Sequence, residues 1–182
     1  MKTVIAITLA VLLSACASSP YTYHVEPTPI LKQKTPYKVS QVSVNLTLGH
    51  GAIEGDTTFA NKTELESQFR NYLEASLKEK GLLAAENTEG LSVSFSIDFK
   101  RRFHLGGGAL GKPEVSHSVV IQDGDKALAS FGKRNYTTKY AYLEDLAVNL
   151  EIAAFSWDQE DEPRDIELIS KLIVEELINA GK

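Results

Sequence analysis

The sequence predicts an α+β fold in two layers, a mostly antiparallel sheet with helices packed on one face, in the order β-α-β-β-β-α-α. Three observations carry this. Apolar and polar residues alternate with period two near 42–48, 91–104 and 115–121, the mark of half-buried strands. Apolar residues recur every three or four positions near 63–80, 143–157 and 163–181, the mark of amphipathic helices. The chain has 182 residues, 43% apolar and 24% charged, the size and composition of one globular domain with a short excess rather than a disordered or multi-span membrane protein.

Each element follows from its residues. Val42, Val44, Leu46 and Leu48 alternate with Ser43, Asn45 and Thr47, and Gly49, Gly51 and Gly55 then break the strand into a loop. Thr63 and Glu66 have the Thr-x-x-Glu spacing of a capping box, in which each side chain satisfies an orphan backbone donor. Leu65, Phe69, Leu73 and Leu77 form the stripe of the helix that follows, and Gly81 stands where a C-terminal cap is expected. Leu91, Val93, Phe95, Ile97 and Phe99 alternate with Ser92, Ser94, Ser96 and Asp98 in the clearest strand. Beyond a glycine loop, Val115, His117, Val119 and Ile121 continue the alternation. Asp123-Gly124 predicts a hairpin turn, because glycine accepts positive φ, and the return strand runs from Lys126 to about Tyr136. Leu143, Leu146, Leu150 and Ala154 suit a short helix ending near Trp157. Pro163 at a helix start, with Ile166, Ile169, Leu172, Ile173 and Leu177 on one stripe, predicts a C-terminal helix that stops at Gly181.

The first twenty residues, MKTVIAITLAVLLSACASSP, have another logic. Lys2 is a positive n-region, and Val4 to Leu13 form an apolar run broken only by Thr8. A run of about ten residues is roughly half of the ~20 a membrane-spanning helix needs, so it reads as the core of an export signal. Leu13-Ser14-Ala15-Cys16 resembles the lipobox of bacterial lipoproteins, and Cys16 is the only cysteine in the chain. The resemblance implies a signal peptide over residues 1–15, cleavage between Ala15 and Cys16, a diacylglyceryl thioether on the Cys16 sulfur and an acylated new N-terminus. One acyl chain holds a protein only marginally; the three that the resemblance implies would make release negligible. Ala17, rather than Asp, follows the cysteine, and by the same resemblance the periplasmic face of the outer membrane is expected over the inner membrane.

Residues 16–36 are expected to be the lipidated cysteine and a tether, the alternative being that apolar Tyr21, Tyr23, Val25, Ile30 and Leu31 pack the segment as an irregular edge along the domain. The segment holds Pro20, Pro27, Pro29 and Pro36, shows no helical or alternating period, and would reach about 60 Å at ~3.1 Å per residue. A single domain over 37–182 follows. The whole chain carries 19 basic and 24 acidic side chains, a net charge of -5, and loss of the signal removes one more positive charge with Lys2. That balance argues against a nucleic-acid partner. An acidic body also gains nothing from anionic head groups, so the domain is expected to stand off the bilayer, held by its lipid.

Most candidate chemistry fails on inspection. Gly106-x-Gly108-x-x-Gly111 has dinucleotide-loop spacing and comes within one residue of a P-loop, Gly106-x-x-x-x-Gly111-Lys112. Both motifs need a helix after the loop to cradle phosphate; Pro113 and the alternating EVSHSVVI that follow predict a strand, so no nucleotide is expected. His104 and His117 flank the loop and could face each other across a hairpin, though ordinary strand positions are the favoured reading and no metal is expected. The acidic run Asp158 to Glu162 lacks the spacing of a calcium loop and reads as a solvated helix start. Lys100, Arg101 and Arg102 read as a solvated strand end. Neither a nucleophile elbow nor a HExxH pair occurs. No catalytic residue, cofactor or metal ligand is assigned, and an enzyme is not expected.

The stretch from FRNYLEASLKEKGLL through LSVSFSIDF and LGGGALG to SHSVVIQDGDKALASF, about residues 63–133, is similar to uncharacterised Gram-negative envelope lipoprotein domains. Related folds occur in lipoproteins of curli secretion and lipopolysaccharide transport. The resemblance implies a non-enzymatic accessory or assembly role with an envelope protein partner, contacted through an exposed strand edge or the glycine loop. The alternative is a module that binds a lipid or a cell-wall fragment between helices and sheet.

Overall fold

The computed structural model describes residues 19–85, 88–104 and 108–182. Signal, lipobox and Cys16 lie outside the described residues, as do Gly106 and its two neighbours in the glycine loop. The elements in chain order are β1 (Thr22–Tyr23), β2 (Tyr37–Leu48), α1 (Lys62–Glu79), β3 (Leu91–Phe103), β4 (Leu110–Asp123), β5 (Lys126–Tyr136), α2 (Tyr142–Ala153) and α3 (Glu162–Ile178).

Five strands make one sheet in the order β1-β5-β4-β3-β2. Three of the four pairings are antiparallel; β2 and β3 run parallel, with α1 as their crossover. The α+β fold expected from the alternation is therefore observed. Along β3 the apolar set Val93, Phe95, Ile97 and Phe99 is buried while Ser96, Asp98 and Lys100 are exposed. α1 and α3 cover the buried face with Leu65, Phe69, Leu73, Leu77, Ile166, Ile169, Ile173 and Leu177. The Gly124-Asp125 turn joins β4 to β5 with Asp123 paired to Lys126, and Gly124 takes the positive φ the turn needs.

Three features differ from expectation. The capping box of α1 sits two residues earlier: Asn61 accepts from the Glu64 amide at 3.1 Å, and the Asn61 amide donates to Glu64 at 2.7 Å. Asn is as good a cap as Thr, and helix-compatible Lys62 and Thr63 let the helix start sooner.

The Pro-rich segment, expected as a free tether, packs on the domain from Tyr21 onward. Thr22 and Tyr23 form β1 against Ser130 and Ala129, and Ile30 is fully buried in the core. The Tyr21 hydroxyl donates to the Glu176 carbonyl at 2.7 Å, and the Tyr23 hydroxyl accepts from the Gly181 amide at 2.8 Å. The physical reason is that Tyr21, Tyr23, Val25 and Ile30 bring apolar area to the core edge, while proline lowers the entropy lost on ordering the segment.

The stripe of α2 does not face the sheet. α2 sits beyond the end of β5 over a satellite core of Phe59, Leu110, Val148 and Trp157, to which it contributes one fully buried residue, Val148.

Candidate interaction surface

The two edges of the sheet are finished differently. On β2, an edge strand of twelve residues, the free backbone is engaged from α1: the Val44 amide donates to Glu66 at 3.1 Å, and Arg70 donates to the carbonyls of Val39 and Ser40 at 2.9 and 3.3 Å. Such covering blunts an edge that would otherwise template strand pairing. Among the described residues β5 is capped only by β1, paired over Ser130 and Ala129, with the His24 amide adding one bond to the Leu128 carbonyl. Pro20, with no N–H, cannot continue β1. Among the described residues no strand pairs with Phe131–Tyr136 on its outer side.

A groove opens beside this bare edge. One part, about 350 Å³, lies between Lys133–Lys139 and Leu168, Ile169 and Leu172 of α3. It continues past Leu168 and Leu172 to Tyr21 and Asn179, so the trough follows the outer face of α3 with an apolar floor and lysines on its rim.

A buried polar latch sets the groove wall. Between His117 and Val115 of β4, β5 carries one extra residue, Lys133 pairing with His117 and Tyr136 with Val115. Asn135 takes φ 52° at this bulge and its amide donates to the Ser116 hydroxyl at 3.0 Å. The bulge turns Tyr136 inward, placing its hydroxyl 2.8 Å from His117 Nδ1, while His117 Nε2 lies 2.9 Å from Glu176. Burial, together with the Glu176 charge, holds the Tyr136 phenol far above its usual range. The phenol, the two ring nitrogens and the Glu176 carboxylate thus form a continuous hydrogen-bonded row across the two strands and α3. With α3 so joined to β4 and β5, the latch braces the groove; a phenol held in its neutral form is no nucleophile.

His104 and His117 do not meet. His117 pairs with Ile97, seven residues before His104 along β3, a separation of about 23 Å at ~3.3 Å per residue. His104 packs edge-on against Phe155 instead. Among the described residues no group of three or more His, Cys, Asp or Glu could hold a metal ion. Gly111 and Lys112 of the phosphate-loop spacing lie within β4, so a strand stands where a phosphate cradle needs a helix.

Two expectations of solvated charge are overturned together. Arg101 and Glu162 are both about 5% exposed and form a two-pronged pair at 2.5 and 2.7 Å, with a further Arg101 bond of 2.7 Å to the Ala60 carbonyl. Arg101 falls on the buried side of β3 because it continues the odd-numbered alternation of Val93, Phe95, Ile97 and Phe99. Nearby, Asp165 accepts from the Tyr140 hydroxyl at 2.8 Å and from Trp157 Nε1 at 3.3 Å. Burial raises the carboxyls of both Glu162 and Asp165 above the usual carboxylate range.

This network supports a second surface, the outer face of α2. Tyr142 is 89% exposed, Leu143 78%, Leu146 57%, Leu150 62% and neighbouring Phe155 59%. The acidic groups of the helix point elsewhere: Asp145 meets Lys112 at 2.6 Å, and Glu144 and Glu151 meet Arg164 at 3.7 and 3.6 Å. Periodicity identified this stripe, yet nothing in the sequence marks it as outward-facing. The open β5 edge had no sign in the sequence either, because residues 16–36 show no alternating period from which β1 could be read.

No protein-family model matches the chain, and no curated protein matches it. Among solved structures it is similar to a minor lipoprotein from Acinetobacter baumannii, at 15% identity and TM-score 0.33 over 79% of this chain and 93% of that one. It is also similar to a putative neuraminyllactose-binding hemagglutinin homolog from Helicobacter pylori, at 10% identity and TM-score 0.38 over 86% and 92%. A third is the PelC dodecamer from Paraburkholderia phytofirmans, at 17% identity and TM-score 0.31 over 76% and 98%. Scores this low leave function to the chain's own residues. Among the described residues no helix is long and apolar enough to cross a membrane.

Proposed function

We propose that the chain is a non-enzymatic lipoprotein, acylated on Cys16 after cleavage behind Ala15 and held on the periplasmic face of the outer membrane. Its domain docks an extended segment of an envelope protein. The observation that carries this is the bare outer side of Phe131–Tyr136 beside the α3 groove, against the covered edge of β2. An added strand there would gain backbone hydrogen bonds along β5 and set alternate side chains in the groove. A lipid anchor raises the local concentration of the domain for partners at the same membrane.

The test is photocrosslinking in cells with a benzophenone amino acid at Arg134 on the open edge and at Ser96 on the exposed sheet face. We expect one envelope protein captured at 134, absent at 96 and lost in Cys16→Ser. Free passage of both probes without capture, in a chain whose Cys16 is acylated, would overturn the protein-docking reading and favour a lipid or cell-wall fragment in the groove.

A further inference from the structure

We propose that the outward face of α2 lies in the boundary between head groups and acyl chains of the very bilayer that holds the anchor, so that the domain rests on its membrane rather than standing off it. The inference rests on acylation of Cys16 as proposed above; its apolar face is distinct from the docking edge, and Arg134 and Lys139 border both surfaces.

The first argument is the length and direction of the chain between anchor and sheet. With β1 seated on β5, six residue steps separate Cys16 from Thr22, a reach of about 20 Å when fully extended at ~3.3–3.6 Å per step. β1 is antiparallel to β5, with Thr22 opposite Ser130 and Tyr23 opposite Ala129. The chain ahead of Thr22 therefore heads toward the C-terminal end of β5, and Tyr21 already stacks edge-on against Phe131. From Ser130 to Tyr136 is again about 20 Å at ~3.3 Å per residue. Residues 19–21 thus head toward the end of the sheet from which residues 137–141 lead into α2, and Cys16 is three residue steps ahead of Ser19, a reach of about 10 Å at most.

The second argument is charge. Interfacial helices bury an apolar face to a depth of ~5–10 Å and usually carry a basic polar face. α2 is acidic, which would oppose binding to anionic lipid, but its three carboxylates point back to Lys112 and Arg164. The Lys112 contact also holds Asp145 below the usual carboxylate range. The large exposed apolar side chains here are Tyr142, Leu143, Leu146, Leu150 and Phe155, and the two half-exposed carboxylates of the helix, Glu144 and Glu151, are both drawn toward Arg164. Arg134 and Lys139 are exposed on the path from β5 to α2, and among the described residues neither is within ion-pair distance of a carboxylate, so both are free for lipid phosphate. An apolar face too weak to bind a membrane from solution is sufficient once an anchor holds it there.

Spin labelling of the full acylated chain tests this. A thioether-blocked Cys16 leaves Leu146→Cys as the sole free thiol, and Asp125→Cys, at the β4–β5 turn, serves as the control at the far end of β5. In vesicles of phosphatidylethanolamine with a minor share of phosphatidylglycerol, the label at 146 should lose access to an aqueous nickel relaxer several-fold and gain access to oxygen, while the label at 125 stays aqueous. If the chain sediments with vesicles but both labels stay aqueous, this inference fails and the anchor stands. A label at 146 shielded from both relaxers marks a protein-covered face and likewise overturns it. If mass spectrometry finds Cys16 unmodified and the chain does not sediment, the anchor falls and this inference with it.

Discussion

Helix α1 turns Leu65, Phe69, Leu73 and Leu77 onto the sheet with no exposure at all, whereas α2 leaves Leu143, Leu146 and Leu150 between 57% and 78% exposed. Their leucine spacings are nearly the same. The difference is one of connection. α1 joins two parallel neighbours, β2 and β3, and a crossover helix must lie across the sheet it connects. α2 joins the end of β5 to α3, and no strand pairing obliges it to fold back. Periodicity says that a helix has an apolar face; the connection decides whether the domain itself supplies the cover.

The contrast can be attacked at the support of α2 first. Arg101→Leu strands the Glu162 carboxylate in the interior beside the satellite core, and breaking a buried pair costs about 3–5 kcal/mol. Urea unfolding should show that loss, and exchange of α2 amides should quicken at least as much as that of α1. Next come the stripes themselves. Leu73→Ala should cost about 2–5 kcal/mol by the transfer and cavity terms, whereas Leu146→Ala should stay within about 0.5 kcal/mol; equal losses in the two unfolding curves would mean that α2 is packed as tightly as α1.

The caps differ too. Asn61→Ala removes half of the α1 capping box and should cost about 1 kcal/mol, while Ala141, which offers α2 no side-chain cap, should gain about 0.5–1 kcal/mol as Ala141→Ser. The smallest effect is a slope with pH. Burial raises the Asp165 carboxyl in the folded state, so the fold binds its proton more tightly than the unfolded chain does. Asp165 therefore stabilises below its unfolded pKa, and that contribution fades as pH rises through the folded one. Against Asp165→Asn, the natural chain should gain ground in melting temperature as pH is lowered from neutral toward 4.

Much of the fold was legible because strong signals are local. The alternation of β3, the Asp123-Gly124 turn and the stripes of α1 and α3 each fix an element without reference to the rest of the chain. What could not be read was long-range. A proline-rich run looks like a tether until Ile30 is seen to have a seat among Ile178, Ala180 and the sheet. The alternation of β3 does turn Arg101 inward; what hides its burial is that Glu162, the carboxylate that makes it tolerable, lies 61 positions away. The candidate docking edge depends on where β1 stops, and the polar latch of His117, Tyr136 and Glu176 draws on three elements. None of these carries a sequence motif.

The seating of the N-terminal segment also orders events in time. Ile30 accepts from the amide of Lys182, Lys32 donates to the Lys182 carbonyl and Gln33 donates to that of Ile178. Residues 30–33 thus find their places only against residues 178–182. A chain emerging N-terminus first carries that segment unpaired until α3 is complete, and contacts of such long sequence separation form late. The segment made earlier is the one that locks last.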